Sequence, residues 1–224
     1  MDWFQPIDIY CERHGPGFWA EPLNAWSNLA FWIAAAVTVP ALRRAGQRLG
    51  SLDPGGGAEL AVLTLLLLGI GAGSFAFHTF AVGWAGTVDV GFIVLWIVWF
   101  LWVYGRRVLH APWWIVIPGV AAVFAASIAL TAATSRFILA YLPILALLAG
   151  LGVAARRADR PRPHLLLAAA GVFAVSMAAA ALDGPLCEHL PTGTHFVWHL
   201  LNAVTLTLCT LALAAQLGRS APES

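Results

Sequence analysis

The sequence predicts an all-α integral membrane protein with seven transmembrane helices, its N-terminus outside and its C-terminus in the cytoplasm. Three observations carry this. The 224-residue chain is 60% apolar and 10% charged, with a mean hydropathy of +0.80; a soluble domain is nearer 25% charged. Seven apolar stretches approach the roughly 20 residues a helix needs to cross a bilayer. All twelve basic residues are Arg, and they fall mostly on alternate loops. The net charge of +1 and the lack of a basic patch exclude nucleic acid as a partner.

The spans are expected at 23–42, 58–79, 87–105, 112–132, 136–155, 164–182 and 195–216, separated by breakers or charge. Arg43, Arg44 and Arg48 lead into Pro54-Gly55-Gly56-Gly57 after the first. Gly83 and Gly86 separate the second from the third, and Arg106-Arg107 closes the third. Thr134-Ser135 divides the fourth from the fifth. Arg156-Arg157, Arg160, Pro161 and Pro163 follow the fifth, and Asp183-Gly184-Pro185 through Pro191 follow the sixth. The organisation is therefore an extramembrane segment over 1–22, a membrane domain over 23–216 and a tail over 217–224. Residues 1–20 hold no apolar signal-peptide core, so the first span is expected to direct its own insertion.

With seven spans, one side receives Arg13 and Arg136, and the other receives the remaining ten arginines. Cytoplasmic loops are the arginine-rich ones, which puts the N-terminus outside. Candidate chemistry then gathers at one depth. His195 and His199, in Thr194-His195-Phe196-Val197-Trp198-His199, lie four residues apart at the head of the last span. A helix puts them on one face, about 6 Å apart along its axis. Ser74 and His78 form a second i, i+4 pair where the second span ends. Asp89 follows eleven residues later, in the expected first turn of the third span, and reads as the single acid within the spans. All five fall just under the outer surface.

Three imidazoles and a water make a tetrahedral catalytic zinc site. Zinc brings such a water to a pKa near 7. Asp89 is then placed to move the proton, and Ser74 to donate to a developing oxyanion. The residues thus describe metal-assisted hydrolysis of a carbonyl compound in lipid. Plainer roles fit other residues. His110, His164 and His189 read as interfacial packing, Cys209 as core, and the eleven Trp largely as an interface belt. Gly69, Gly71 and Gly73 read as close helix contacts, and Asn24 and Asn28 as structural residues bonding across to a neighbouring helix.

Ser-x-x-x-His, then Asp eleven residues on, then His-x-x-x-His opening the last helix resembles the alkaline ceramidases. These belong to a seven-helix superfamily of membrane hydrolases that includes adiponectin-receptor-like proteins. Cys11-Glu12 and Glu21-Pro22-Leu23-Asn24-Ala25-Trp26-Ser27-Asn28 are similar to that family's C-E and E-x-x-N-x-x-S-N, so the resemblance spans essentially the whole chain. It implies an intramembrane amidase that cleaves ceramide or a related N-acyl lipid. In it His78, His195 and His199 would hold Zn2+, Asp89 would handle the proton and Ser74 would stabilise the oxyanion.

The resemblance also implies a Cys11–Cys187 disulfide and a Ca2+ site at Asp8, Glu12 and Glu21. Here the acidic run is one residue longer and its gap to Glu21 shorter, and Glu21 before Pro22 equally fits the cap of the first helix. Two other readings remain open from the residues. One is a receptor-like or lipid-binding seven-helix protein with structural zinc. The other is a bis-His haem protein. The Arg-only, Ala- and Leu-rich composition suggests a bacterial chain, placing the site on the periplasmic side of an inner membrane.

Overall fold

A computed structural model describes residues 2–50 and 54–217. Its described residues form eight α-helices and no strand; Pro6 and Val82 share one isolated bridge. Helices α1 (Pro22–Ser27) and α2 (Leu29–Gly50) run nearly end to end and make the first span. The others are α3 (Pro54–Phe80), α4 (Gly83–Val103), α5 (Trp113–Thr134), α6 (Leu142–Arg157), α7 (His164–Leu186) and α8 (His195–Leu217). Seven helical stretches are long and apolar enough to cross a membrane. The tail after Leu217, with Arg219, and the loop residues 51–53 lie outside the described residues.

Packing closes the spans into a ring. Each of α2 through α8 touches the next, and α8 returns to α2. Small residues set the close approaches. A Cβ on Gly69 would stand 2.5 Å from the Phe92 ring, and one on Gly71 2.6 Å from the Trp32 indole. Those glycines let α3 fit between α4 and α2. Helix α8 is the most enclosed span, with 56% of its apolar window buried against 11% for α5. Leu60, Leu63, Leu67, Val103, Leu213 and Leu217 fill the end of the bundle remote from the paired histidines, around a Tyr104 hydroxyl donating to Gln216 at 2.9 Å.

Several expected boundaries move, and two of the moves affect the site. The third span begins at Gly83, not 87. Gly86 packs against Phe77, where an added Cβ would meet the ring at 3.2 Å, so this glycine marks a tight helix contact rather than a break. Asp89 consequently lies well beyond the first turn. The sixth span continues past 182 to Leu186, because Pro185 falls in its last turn, where few helical hydrogen bonds remain to be lost. This carries Asp183 into the helix and buries it. Glu59 also lies within α3, where it pairs with Arg107 at 2.8 Å. Asp89 is therefore not the single acid in the spans.

The Thr134-Ser135 break stands where expected. Ser135 takes a left-handed backbone (φ 56°), and a single 3-10 turn over Phe137–Tyr141 leads into α6. Pro143, unable to donate, sits in the first turn of α6, where no donor is needed.

Candidate metal centre

His78 comes from the last turn of α3, and His195 and His199 from the first two turns of α8. All three are buried, and their candidate ligand atoms lie within 4.8 Å of one another. The ring centroids stand 5.2 Å (His78–His195), 4.8 Å (His78–His199) and 4.7 Å (His195–His199) apart. This is the one group of three or more His, Cys, Asp or Glu side chains able to share an ion among the described residues.

Neighbours fix which nitrogen His78 and His199 offer. Glu21 Oε2 accepts from His78 Nδ1 at 2.6 Å. Ser27 Oγ stands 2.7 Å from His199 Nδ1 and spends its own proton on the Asn24 carbonyl at 2.9 Å. Nδ1 of His199 must therefore donate. Both rings then present a bare Nε2, the tautomer a metal ligand needs. His78 Nε2 is buried without any hydrogen-bond partner. An orphaned buried acceptor is costly, and a cation between the rings would satisfy it. The donor set fits a divalent ion of the zinc class: three neutral nitrogens with one position open.

Tyr10 stacks on His195 with ring centroids 3.8 Å apart. Burial, reinforced by Asp89, Glu21 and Asp183, holds its phenol well above the ordinary range and therefore protonated. Burial alone would push the Glu21 carboxyl up, but bonds from His78, Asn24 and Arg13 outweigh it and keep Glu21 below its usual range, ionised.

Ser74 and Asp89 stand beside the histidines as expected. Ser74 Oγ lies 3.5 Å from His199 Nε2 and within reach of the Asp89 carboxyl. Asp89 Oδ1 is sealed from solvent with no partner. Both residues, with His195 and His199, line one end of a cavity of about 470 Å³ inside the helix ring. The rest of its wall is almost wholly apolar, including Ile97, Phe100, Leu148, Leu151 and Cys209. Between His199 and Cys209 the cavity follows about 15 Å of helix.

The Cys11–Cys187 disulfide is formed, with its Cα atoms 5.2 Å apart. The three acids expected to hold calcium are not gathered. Asp8 is exposed. Both Glu12 oxygens accept backbone N–H groups at the start of α1, from Leu23 at 2.6 Å and Asn24 at 2.8 Å. Glu21 is held by Arg13, Asn24 and His78. The cap of α1 thus comes from Glu12, eleven residues upstream, while Glu21 contributes its backbone carbonyl, to Ala25 at 2.8 Å. Asn24 and Asn28 do not bond across to another span: the Asn28 amide donates to the Asn24 carbonyl and the Asn24 amide to Glu21.

No family model, curated protein or solved structure matches this chain at a significant level. The site is read from its own chemistry.

Sequence reasoning passed over Asp183, which orders the start of α8. Its Oδ1 accepts the Thr194 N–H at 2.7 Å and the His195 N–H at 2.9 Å, and its Oδ2 the Cys11 N–H at 3.1 Å. An aspartate capping a helix start is a familiar device, but this one lies twelve residues before His195, behind a Gly-Pro pair that reads as a turn. Gly193, at φ +60°, passes so close that any Cβ would strike the Asp183 carboxylate and the Cys11 side chain. Ser27 enters the sequence reading only as part of a motif, Arg13 only as a counted charge, and Tyr10 has no role in it.

Proposed function

We propose that this protein is a zinc-dependent membrane hydrolase that cleaves the amide bond of a ceramide-like N-acyl lipid, releasing an amine and a fatty acid. One observation carries the reading: a buried three-histidine set, two of its rings held in the tautomer a metal ligand needs, opens beside a carboxyl and a hydroxyl onto a long, mainly apolar cavity inside the bundle. The similarity of the motifs to those of alkaline ceramidases supports the same substrate class.

His78, His195 and His199 would hold the ion, which supplies a Lewis acid and makes a nucleophile available at neutral pH. The chain's other residues divide the remaining work. The apolar cavity seats the acyl chain and excludes bulk water. Ser74 Oγ donates to the carbonyl oxygen as negative charge builds on it. Asp89 takes the proton released as water adds to the carbonyl carbon and passes it to the departing nitrogen as the C–N bond breaks. Among the described residues, Asp89 is the one ordinarily charged side chain other than histidine in the cavity wall, and no arginine lines it. That favours a lipid with a neutral head over a phosphorylated one. Arginine distribution supports an outward N-terminus and, for a bacterial chain, a site on the periplasmic side of the inner membrane.

The test is to incubate purified protein with a panel of N-acyl lipids, with and without a chelator, and to detect released fatty acid by mass spectrometry. Wild type is expected to hold stoichiometric zinc and release product. His199→Ala should lose both. Asp89→Asn should keep the zinc and lose at least 100-fold in turnover. Lipid binding without product, by zinc-loaded protein, would instead favour a receptor-like or carrier role.

A further inference from the structure

The carboxylate that orients His78 is itself held by a buried guanidinium. Arg13 Nε donates to Glu21 Oε1, while Oε2 of the same carboxylate takes the His78 Nδ1 proton. Arg13 Nη2 donates to the His78 carbonyl at 3.1 Å and Nη1 to the Gly15 carbonyl at 3.3 Å. The Arg13 and Glu21 side chains are only 4% and 3% exposed. The His78 carbonyl belongs to the last turn of α3, the negative end of that helix. One carboxylate oxygen and two carbonyl oxygens thus converge on a single positive charge.

Oxygens of this kind hold hard cations, and the family resemblance implies calcium in this part of the chain. Calcium asks for six to eight oxygens. Here Glu12 is committed to α1, Asp8 is exposed, and the oxygens that do converge are bonded to Arg13. The residues present do not fit calcium. We infer that Arg13 is a built-in cation standing where a calcium ion would otherwise serve, and that it positions the zinc ligand His78 through Glu21 so that the metal centre is independent of calcium. The inference rests on the proposed metal site. Arg13 is a positioning residue: it orients His78 from both ends, through Glu21 on the ring and through the His78 carbonyl on the backbone.

The planar guanidinium suits this work because it bonds a carboxylate and a carbonyl from one rigid group. A lysine keeps the charge but concentrates it at one atom. A methionine keeps the bulk and removes the donors, leaving Glu21 Oε1 and the His78 carbonyl without the group that holds them in place.

The experiment uses the full chain in detergent. Zn2+ affinity is measured by chelator competition, and the thermal midpoint is recorded alongside, each in EGTA and in excess Ca2+. Wild type is expected to give the same zinc affinity and midpoint in both. Arg13→Met should bind zinc about 10- to 100-fold more weakly, the usual cost of losing a group that orients a ligand; Arg13→Lys should fall between. A wild-type zinc affinity or midpoint that rises with Ca2+ overturns the proposal, as does unchanged zinc affinity in folded Arg13→Met. Should Arg13→Met not fold, the wild-type calcium comparison decides alone. A wild type that holds no zinc under any condition refutes the metal reading instead; its midpoint with and without Ca2+ then still decides whether Arg13 replaces the ion.

Discussion

His78 and His199 each surrender Nδ1 to a neighbour, and that surrender makes Nε2 useful. Ser27 shows how indirect the control is. Its hydroxyl accepts from His199 and donates to the Asn24 carbonyl, so one side chain reads the backbone of α1 and sets the tautomer of a ring on α8. Ser27→Ala should leave the fold intact, because only a small, half-buried hydroxyl is being removed. It should weaken Zn2+ binding by about 10-fold, at the low end of the range for such orienting groups, by freeing the His199 ring to adopt the other tautomer. Chelator competition on the purified variant checks this; wild-type affinity would show that packing alone orients His199.

At the scale of elements, the site hangs on the N-terminus of α8. The first N–H groups of a helix have no partner within it, and here the end of α7 supplies one, in Asp183. The disulfide ties Cys11 and the segment carrying Tyr10 and Arg13 to the same place. Asp183→Ala leaves the N–H groups of Cys11, Thr194 and His195 without this acceptor, and each such buried group costs about 1–3 kcal/mol. The expected result is a thermal midpoint lowered by several degrees together with weaker zinc binding, read by a melt with and without Zn2+. A lower midpoint with unchanged zinc affinity would confine Asp183 to stability. How much of this the sequence disclosed depends on range. The spans were legible because apolar length is a local property. The His-x-x-x-His and Ser-x-x-x-His pairs were legible because helical periodicity puts i and i+4 on one face. Asp183 was not, because its partners lie 11, 12 and 172 residues away and Asp-Gly-Pro has a strong local reading as a turn. The calcium expectation failed for a related reason. Carboxylates close in sequence were grouped by type, whereas Glu12 found helix N–H donors and Glu21 found Arg13.

At the scale of the whole molecule, a ring of seven helices creates the interior that the chemistry needs. Most polar groups of the site sit at one end of it, and the wall toward the middle of the bundle is mainly hydrocarbon, interrupted by Asn202 and Thr205. A substrate entering this space must place its polar bond at the histidines and its chain beside Ile97, Leu148, Leu151 and Cys209, so the cavity's length sets the chain it accepts. Filling the far end tests that directly. Leu151 lines the cavity on α6, nine residues, or about 13 Å of helix, beyond Leu142 where that helix starts. Leu151→Trp adds bulk there without touching a metal ligand, Ser74 or Asp89. Zinc content should be unchanged. Hydrolysis of long-chain N-acyl lipids should fall about 10-fold, in line with the roughly 1–3 kcal/mol cost of forcing extra volume into a packed interior, while short-chain substrates should keep their rate. The check is kcat/KM across a series of acyl lengths for both proteins. An equal loss at every length would mean that the chain lies elsewhere, and the cavity would then be a packing defect of the ring rather than the seat of the substrate.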